Sequence, residues 1–190
     1  RSTGNDQKTL VIFTSDNGPH KEGGHKPDFF DSNGPLKGYK RDLYEGGIRV
    51  ATVAWWPGKV QPGSTSSHLA AGWDLLPTLC ELSQTETPDG LDGVSFAPTL
   101  LGQPGKQTKR DYLYWEFHEQ GGKQAVRMGN WKGLRLNVKK DPNHAIELYD
   151  LSKDIGEKNN LASKHPEIVR KIETAMKNSH RPNPIFPFIE

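Results

Sequence analysis

The stretch Leu10-Val-Ile-Phe-Thr-Ser-Asp-Asn-Gly18 decides the fold class, because an apolar run delivers an acid, an amide and a glycine to its own end. Leu10 to Phe13 is β-branched and aromatic enough for a buried strand. It hands Asp16 and Asn17 to the kind of loop in which a parallel α/β sheet keeps its active site. Both side chains carry hard oxygen donors of the sort calcium takes, and Gly18 gives the backbone freedom to turn. Taken alone, Asp-Asn-Gly is also the residue set of an ordinary turn.

Working outward, a second block reads Gly34-Pro-Leu-Lys-Gly-Tyr-Lys-Arg-Asp-Leu-Tyr-Glu-Gly-Gly-Ile-Arg-Val50. Residues 19–47 hold few apolar side chains and much Gly, His, Lys and Asp, and a loop of such length inside a domain is more often functional than idle. Ile48 to Trp56 reads as the next strand, closed by Pro57-Gly58, and Ser66 to Ala71 as a further short one. From Asp74 the spacing turns helical. Leu75, Leu76, Leu79, Cys80 and Leu82 share a face, Asp74 stands at the cap, and Pro77 falls in the first turn of a helix running to about Gln84. Thr85 to Gly102 is a connection in which Leu91, Val94, Phe96 and Leu100 are the residues to bury.

Residues 103–110 are polar and turn-forming, so a subdomain boundary is expected there, dividing 1–107 from 108–190. Beyond it, Tyr112–Phe117, Gln124–Met128, Trp131–Asn137 and Glu147–Leu151 read as a small antiparallel sheet, with Gly129-Asn130 as a hairpin turn. His165-Pro166 opens a helix whose Ile168, Ile172, Ala175 and Met176 recur at helical spacing and can cover that sheet. Arg181 to Glu190 reads as an extended tail.

Composition sets bounds on function. The 190 residues suffice for one or two small domains with real cores. A hydrophobic content of 33%, with Gly 20 and Pro 14, points to many turns and long loops. Net charge is +2 from 25 basic and 23 acidic residues, dispersed along the chain, so no nucleic-acid partner is expected. One cysteine rules out an internal disulfide framework, no run is long enough for a membrane span, and Arg1 to Lys8 is polar rather than a signal sequence.

The two blocks together closely resemble the type I sulfatases, whose members carry an Asp-Asn-Gly strand end followed by Lys-x-x-x-Tyr-Glu-Gly-Gly. The resemblance continues in Asp74-Leu-Leu-Pro-Thr-Leu79, Leu91-Asp-Gly-Val-Ser-Phe96, Leu148-Tyr-Asp-Leu-Ser-Lys-Asp154 and Glu157-Lys-Asn-Asn-Leu-Ala162. It implies an α/β, alkaline-phosphatase-like fold, followed by the small C-terminal sheet covered by one helix. It also implies hydrolysis of sulfate esters with a calcium ion and a formylglycine made from Cys or Ser. The family's Cys/Ser-x-Pro-x-Arg motif and its Asp-Asp pair are not found among these residues, and Cys80 is followed by Glu-Leu-Ser-Gln. On this reading residues 1–107 are the C-terminal part of the catalytic domain with half of a calcium site, the chain alone is inactive, and the native address is periplasmic or secreted.

By the same resemblance Asp16 and Asn17 are the metal ligands, and Lys40, four residues before Tyr44, contacts the substrate sulfate. Asn17 favours calcium over zinc, since a zinc site would place His beside the Asp. A loop lysine is ordinarily just a solvated charge, and Lys37 and Arg41 flank this one. Gly46 and Gly47 shape a turn, Glu45 and Arg49 pair to hold it, and Tyr44 packs with its hydroxyl tied down. His20, His25 and Asp28, with Asn33 behind them, are candidates for substrate recognition, against a plain loop role. Trp115, Trp131 and Tyr149 are read as core before sugar-stacking residues, and Cys80 as a small buried hydrophobe.

The expected substrate is a sulfated sugar or an aryl sulfate. A strand taken from a larger sheet exposes edges and apolar surface, so a homo-oligomer or pairing with the missing N-terminal portion is anticipated. Two rivals stand beside this reading: a non-catalytic module binding sulfated glycans, and a phosphatase or phosphodiesterase of the same superfamily.

Overall fold

A computed structural model describes residues 3–188. The chain divides into two compact units, Arg1–Asp16 with Ala51–Arg110, and Asn17–Val50 with Asp111–Glu190.

In the first unit, β1 (Val11–Phe13) pairs antiparallel with a strand at Val53–Trp55 in the register Val11↔Trp55, Ile12↔Ala54, Phe13↔Val53. Paired residues share a face. One face therefore carries Val11, Phe13, Val53 and Trp55, all exposed, with Phe13 74% accessible. The buried strand expected at Leu10–Phe13 is thus uncovered in this chain, because a two-stranded ribbon leaves one face without a partner layer. Ser66 to Ala71 forms no strand.

The second unit opens with α1 (Pro27–Phe30) and α2 (Glu45–Ile48), each about one turn long. The strand expected from Ile48 is correspondingly shorter: Ile48 closes a helical turn, and only Val53–Trp55, β2, is extended. Back in the first unit, α3 runs Leu75–Ser83 and ends on Gln84 in the left-handed region at φ 58°. Asp74 does not cap it. Its buried carboxylate accepts the N–H groups of Ala71 and Val94, both at 2.8 Å, and is gripped by the Arg110 guanidinium. A buried charge needs such partners. Cys80 is buried as expected, while Leu76 and Leu79 remain half exposed. A short α4 (Ala97–Leu100) follows, with Phe96 and Ala97 buried.

The rest of the second unit is a four-stranded antiparallel meander, β3 (Leu113–Phe117), β4 (Lys123–Met128), β5 (Trp131–Leu136) and β6 (Glu147–Asp150), in sequential order. Met128 pairs with Trp131 across Gly129-Asn130, where Gly129 takes the positive φ of 57° that a two-residue hairpin asks of its first residue. Then α5 (Pro166–Ser179) lays Ile172, Ala175 and Met176 against Val126, Ile146 and Leu148. The opposite face of the sheet is covered as well. Ala125, Leu134 and Tyr149 pack with Leu43, Tyr44 and Ile48, so the glycine-bearing block at 43–48 is itself a layer of this unit. Trp115 and Tyr149 join that cluster and Trp131 the one under α5, which makes all three core residues. The tail does not stay extended throughout, since Phe188 is buried with His118 against it at 4.8 Å.

Candidate functional site

Construction of the site begins with three glycines whose need is space. Gly18 donates its N–H to the Gly47 carbonyl at 2.9 Å, and a Cβ on Gly18 would lie 1.8 Å from the Gly46 carbonyl oxygen. Cβ atoms on Gly46 and Gly47 would meet carbonyl oxygens at 2.2 and 2.1 Å. None of the three has a positive φ. Gly18 lies in a bend and Gly46 and Gly47 in the helical turn Glu45–Ile48, and the three also leave room for close backbone: Gly18 for the Gly46 carbonyl, Gly46 for those of Lys37 and Gly38, and Gly47 for those of Tyr39 and Asp42.

Beneath that contact lies a buried ionic cluster. Lys132, fully buried on β5, donates to Glu45 Oε1 at 2.8 Å and lies 3.2 Å from Glu157 Oε1, while Glu157 Oε2 accepts the Glu45 N–H at 2.7 Å. Arg49 and Arg127 approach Glu45 Oε2 at 3.3 and 3.7 Å. The Glu45–Arg49 pair is present, then, but Lys132 is the closer partner. Burial alone would raise the Glu45 carboxyl, yet Lys132, Arg127 and Arg49 outweigh it and hold the group below its ordinary range. At Glu157 burial prevails over Lys132 and pushes the carboxyl up. Glu157 opens the motif Glu157-Lys-Asn-Asn-Leu-Ala162, which attached no role to it, and no sequence signal pointed to Lys132; the two lie 112 and 87 residues from Glu45.

The two lysines of the block have different surroundings. Lys37 lies over the Tyr44 ring at 3.8 Å and reaches the Glu157 carbonyl at 3.4 Å, whereas the Tyr44 hydroxyl donates to Glu147 at 2.6 Å. Burial, and then that carboxylate, pushes the Tyr44 phenol well above its usual value. Lys40 stands on the loop with its backbone N–H fixed to the Pro19 carbonyl at 2.8 Å and its ammonium 3.6 Å from Glu22, both side chains substantially solvated. Exposed pairs of this kind are weak and easily exchanged for another anion.

The recognition candidates gather in the same loop. The His20 and His25 rings lie with centroids 5.3 Å apart and are tilted by 33°, and His20 Nδ1 accepts the Glu22 N–H at 3.1 Å. Asp28 accepts from the Tyr39 hydroxyl and pairs with Lys21 at 3.3 Å; Tyr39 first and Lys21 next hold its carboxyl below the usual range. Asn33 is structural, its amide donating to the Leu36 and Gly38 carbonyls at 2.6 and 3.2 Å. Glu22, Tyr39 and Lys21, which tie the histidines, Asp28 and Lys40 into one segment, are residues that sequence reasoning passed over.

Asp16 is exposed and Asn17 half buried, with the Asn17 amide nitrogen donating to the Gly18 carbonyl at 2.8 Å. A carboxylate and an amide oxygen fit a hard cation such as calcium. They make two of the six to eight oxygens calcium takes, and no group of three or more His, Cys, Asp or Glu among the described residues forms a metal site.

The family described as N-sulphoglucosamine sulphohydrolase, C-terminal, matches residues 37–181, and the chain belongs to that sulfatase family. It is 36% identical to human arylsulfatase A over 88% of this chain and 37% of that protein. It is 30% identical to the N-acetylgalactosamine-6-O-sulfatase of Bacteroides thetaiotaomicron over 90% of this chain and 36% of that one. Among solved structures, Ps i-CgsB in complex with k-i-k-neocarrahexaose superposes with a TM-score of 0.78 at 28% identity, covering 93% of this chain and 37% of that one. The chain thus spans little more than a third of the length of the curated relatives it matches, and its fold is that of the alkaline-phosphatase-like sulfatases. No helix among the described residues is long and apolar enough to cross a membrane.

Proposed function

We propose that this chain is the C-terminal part of a sulfuric ester hydrolase acting on sulfated carbohydrate or aryl sulfate, with Lys40 as its contact to the sulfate oxygens. The supporting observation is the contrast between two neighbouring lysines. Lys37 is committed to Tyr44 and Glu157, while Lys40 has a fixed backbone and a partly solvated ammonium with the surface carboxylate of Glu22 beside it. A compact charge on a flexible stem can follow a sulfate oxygen as charge builds on the leaving group.

Asp16 and Asn17 would hold a calcium ion, which supplies positive charge to the sulfate oxygens and aligns the ester. The loop from His20 to Asp28 would select the substrate. The formylglycine nucleophile of the family has no counterpart motif in these residues, so the 190-residue chain alone is expected to turn nothing over. A secreted or periplasmic address goes with this reading.

The protein as encoded by its gene, assayed with 4-nitrophenyl sulfate and with sulfated monosaccharides, is expected to release sulfate only when calcium is present. Lys40→Ala should lower kcat/KM by about 10²–10³, the loss seen on removing one preorganised charge-stabilising donor. Full activity of Lys40→Ala, or release of sulfate by the isolated 190 residues, refutes the assignment.

A further inference from the structure

The loop carrying the recognition candidates is polar except at one place. Phe29 and Phe30 are 79% and 66% exposed, and they belong to a set of rings in mutual contact. Phe29 meets Phe30 edge to face at 4.9 Å and 87°, His25 lies parallel to Phe30 at 6.0 Å and 10°, and His20 continues the series at 5.3 Å from His25. The backbone beneath is well tied. Pro27 is buried at the start of α1, the Ser32 N–H bonds the Pro27 carbonyl at 3.0 Å, and Asp31 takes a left-handed φ of 49° to close the turn.

These rings differ from the exposed apolar residues of the β1–β2 ribbon, which are a sheet face. They stand on a charged loop, and Asp28, between Pro27 and Phe29, accepts from Tyr39, the residue before Lys40. Lys21 covers the other side of Tyr39 at 4.1 Å and pairs with Asp28. A cationic loop with exposed aromatic rings held in mutual contact is complementary to a ligand that joins an anionic ester to a ring with a C–H face, which is the chemistry of a sulfated sugar.

We propose that Phe29 and Phe30, backed by His25, form a ring-stacking subsite for a pyranose unit of a sulfated oligosaccharide whose sulfate is held at Lys40. The subsite rests on the Lys40 reading for its sulfate anchor, and it makes Phe29 and Phe30 determinants of oligosaccharide affinity.

The test measures binding to the protein as encoded, by calorimetry, for sulfated tetrasaccharides from chondroitin, heparin and carrageenan, and for inorganic sulfate. The double variant Phe29→Ala with Phe30→Ala, whose circular dichroism should match the parent because both rings are exposed, is expected to bind the best tetrasaccharide about tenfold more weakly. Its affinity for inorganic sulfate should be unchanged, and Phe30→Trp should keep tetrasaccharide binding. Lys40→Ala should weaken both ligands. Tetrasaccharide binding by the double variant equal to the parent's overturns the subsite and leaves Lys40 untouched, as does a parent that binds no tetrasaccharide better than sulfate. Loss in the double variant with no effect of Lys40→Ala supports the ring subsite and removes the Lys40 assignment instead.

Discussion

The β1–β2 ribbon and the four-stranded sheet are built from similar residues, yet one is bare and the other closed on both faces. Val11, Phe13, Val53 and Trp55 line up on an exposed face. Val126 and Leu148 lie under α5, while Ala125, Leu134 and Tyr149 lie under Leu43, Tyr44 and Ile48. β-Propensity makes a strand in each case, but only cover supplies the hydrophobic stabilisation. The second unit carries its own cover, including the block that presents Lys40.

The sharpest way to break that contrast is at the buried cluster. Lys132→Met leaves the Glu45 and Glu157 carboxylates buried together without their shared ammonium, and should cost about 3–5 kcal/mol, read as a lower urea midpoint by tryptophan fluorescence. A loss within error would mean that the block at 43–48 is not held to the sheet by these charges.

Next comes a matched pair of truncations. Leu134→Ala, fully buried, should cost about 2–5 kcal/mol, whereas Phe13→Ala should fall within about 0.5 kcal/mol, as exposed substitutions do. Equal losses would show that the ribbon face is covered in solution, for instance by a second copy of the chain, and sedimentation of both variants would detect it.

The smallest expected effect is on pH dependence. Glu45 has a depressed carboxyl pKa, so its contribution is present above the unfolded value of 4.5 and is lost as pH falls through the folded value. Glu157 is raised, so the folded state binds the extra proton and stability declines as pH rises from 4.5 through its folded value. The two partly cancel. Glu157→Gln removes the second contribution, and its thermal midpoint should rise with pH above 4.5 more than the parent's does. An unchanged or flatter slope would contradict the opposed shifts.

Particular residues show why some of this was readable in the sequence. Strands β3 to β6 and helix α5 carry their apolar side chains at the periods of strand and helix, and those periods are local properties. Lys40 and the Asp16-Asn17 pair are proposed as site residues only through the spacing of a family motif. The helical turn at Glu45–Ile48 was not, because Ile48-Arg-Val50 reads as strand until Tyr44 and Ile48 are seen packed on the sheet. Asp74 likewise has the position of a cap, and only the proximity of Val94 and Arg110 redirects its carboxylate.

By itself, then, the sequence determined the order of β3 to β6 and α5, the amphipathic faces of that small sheet and its helix, and the family to which the two motif blocks belong, all encoded in neighbours a few residues apart. Tertiary structure decided that Gly18, Gly46 and Gly47 are needed for close backbone approach, that Lys132 joins Glu45 to Glu157, and that Phe29 and Phe30 meet edge to face and stay exposed. These depend on contacts between residues far apart along the chain, or on the absence of a covering layer, and neither is written in any local pattern.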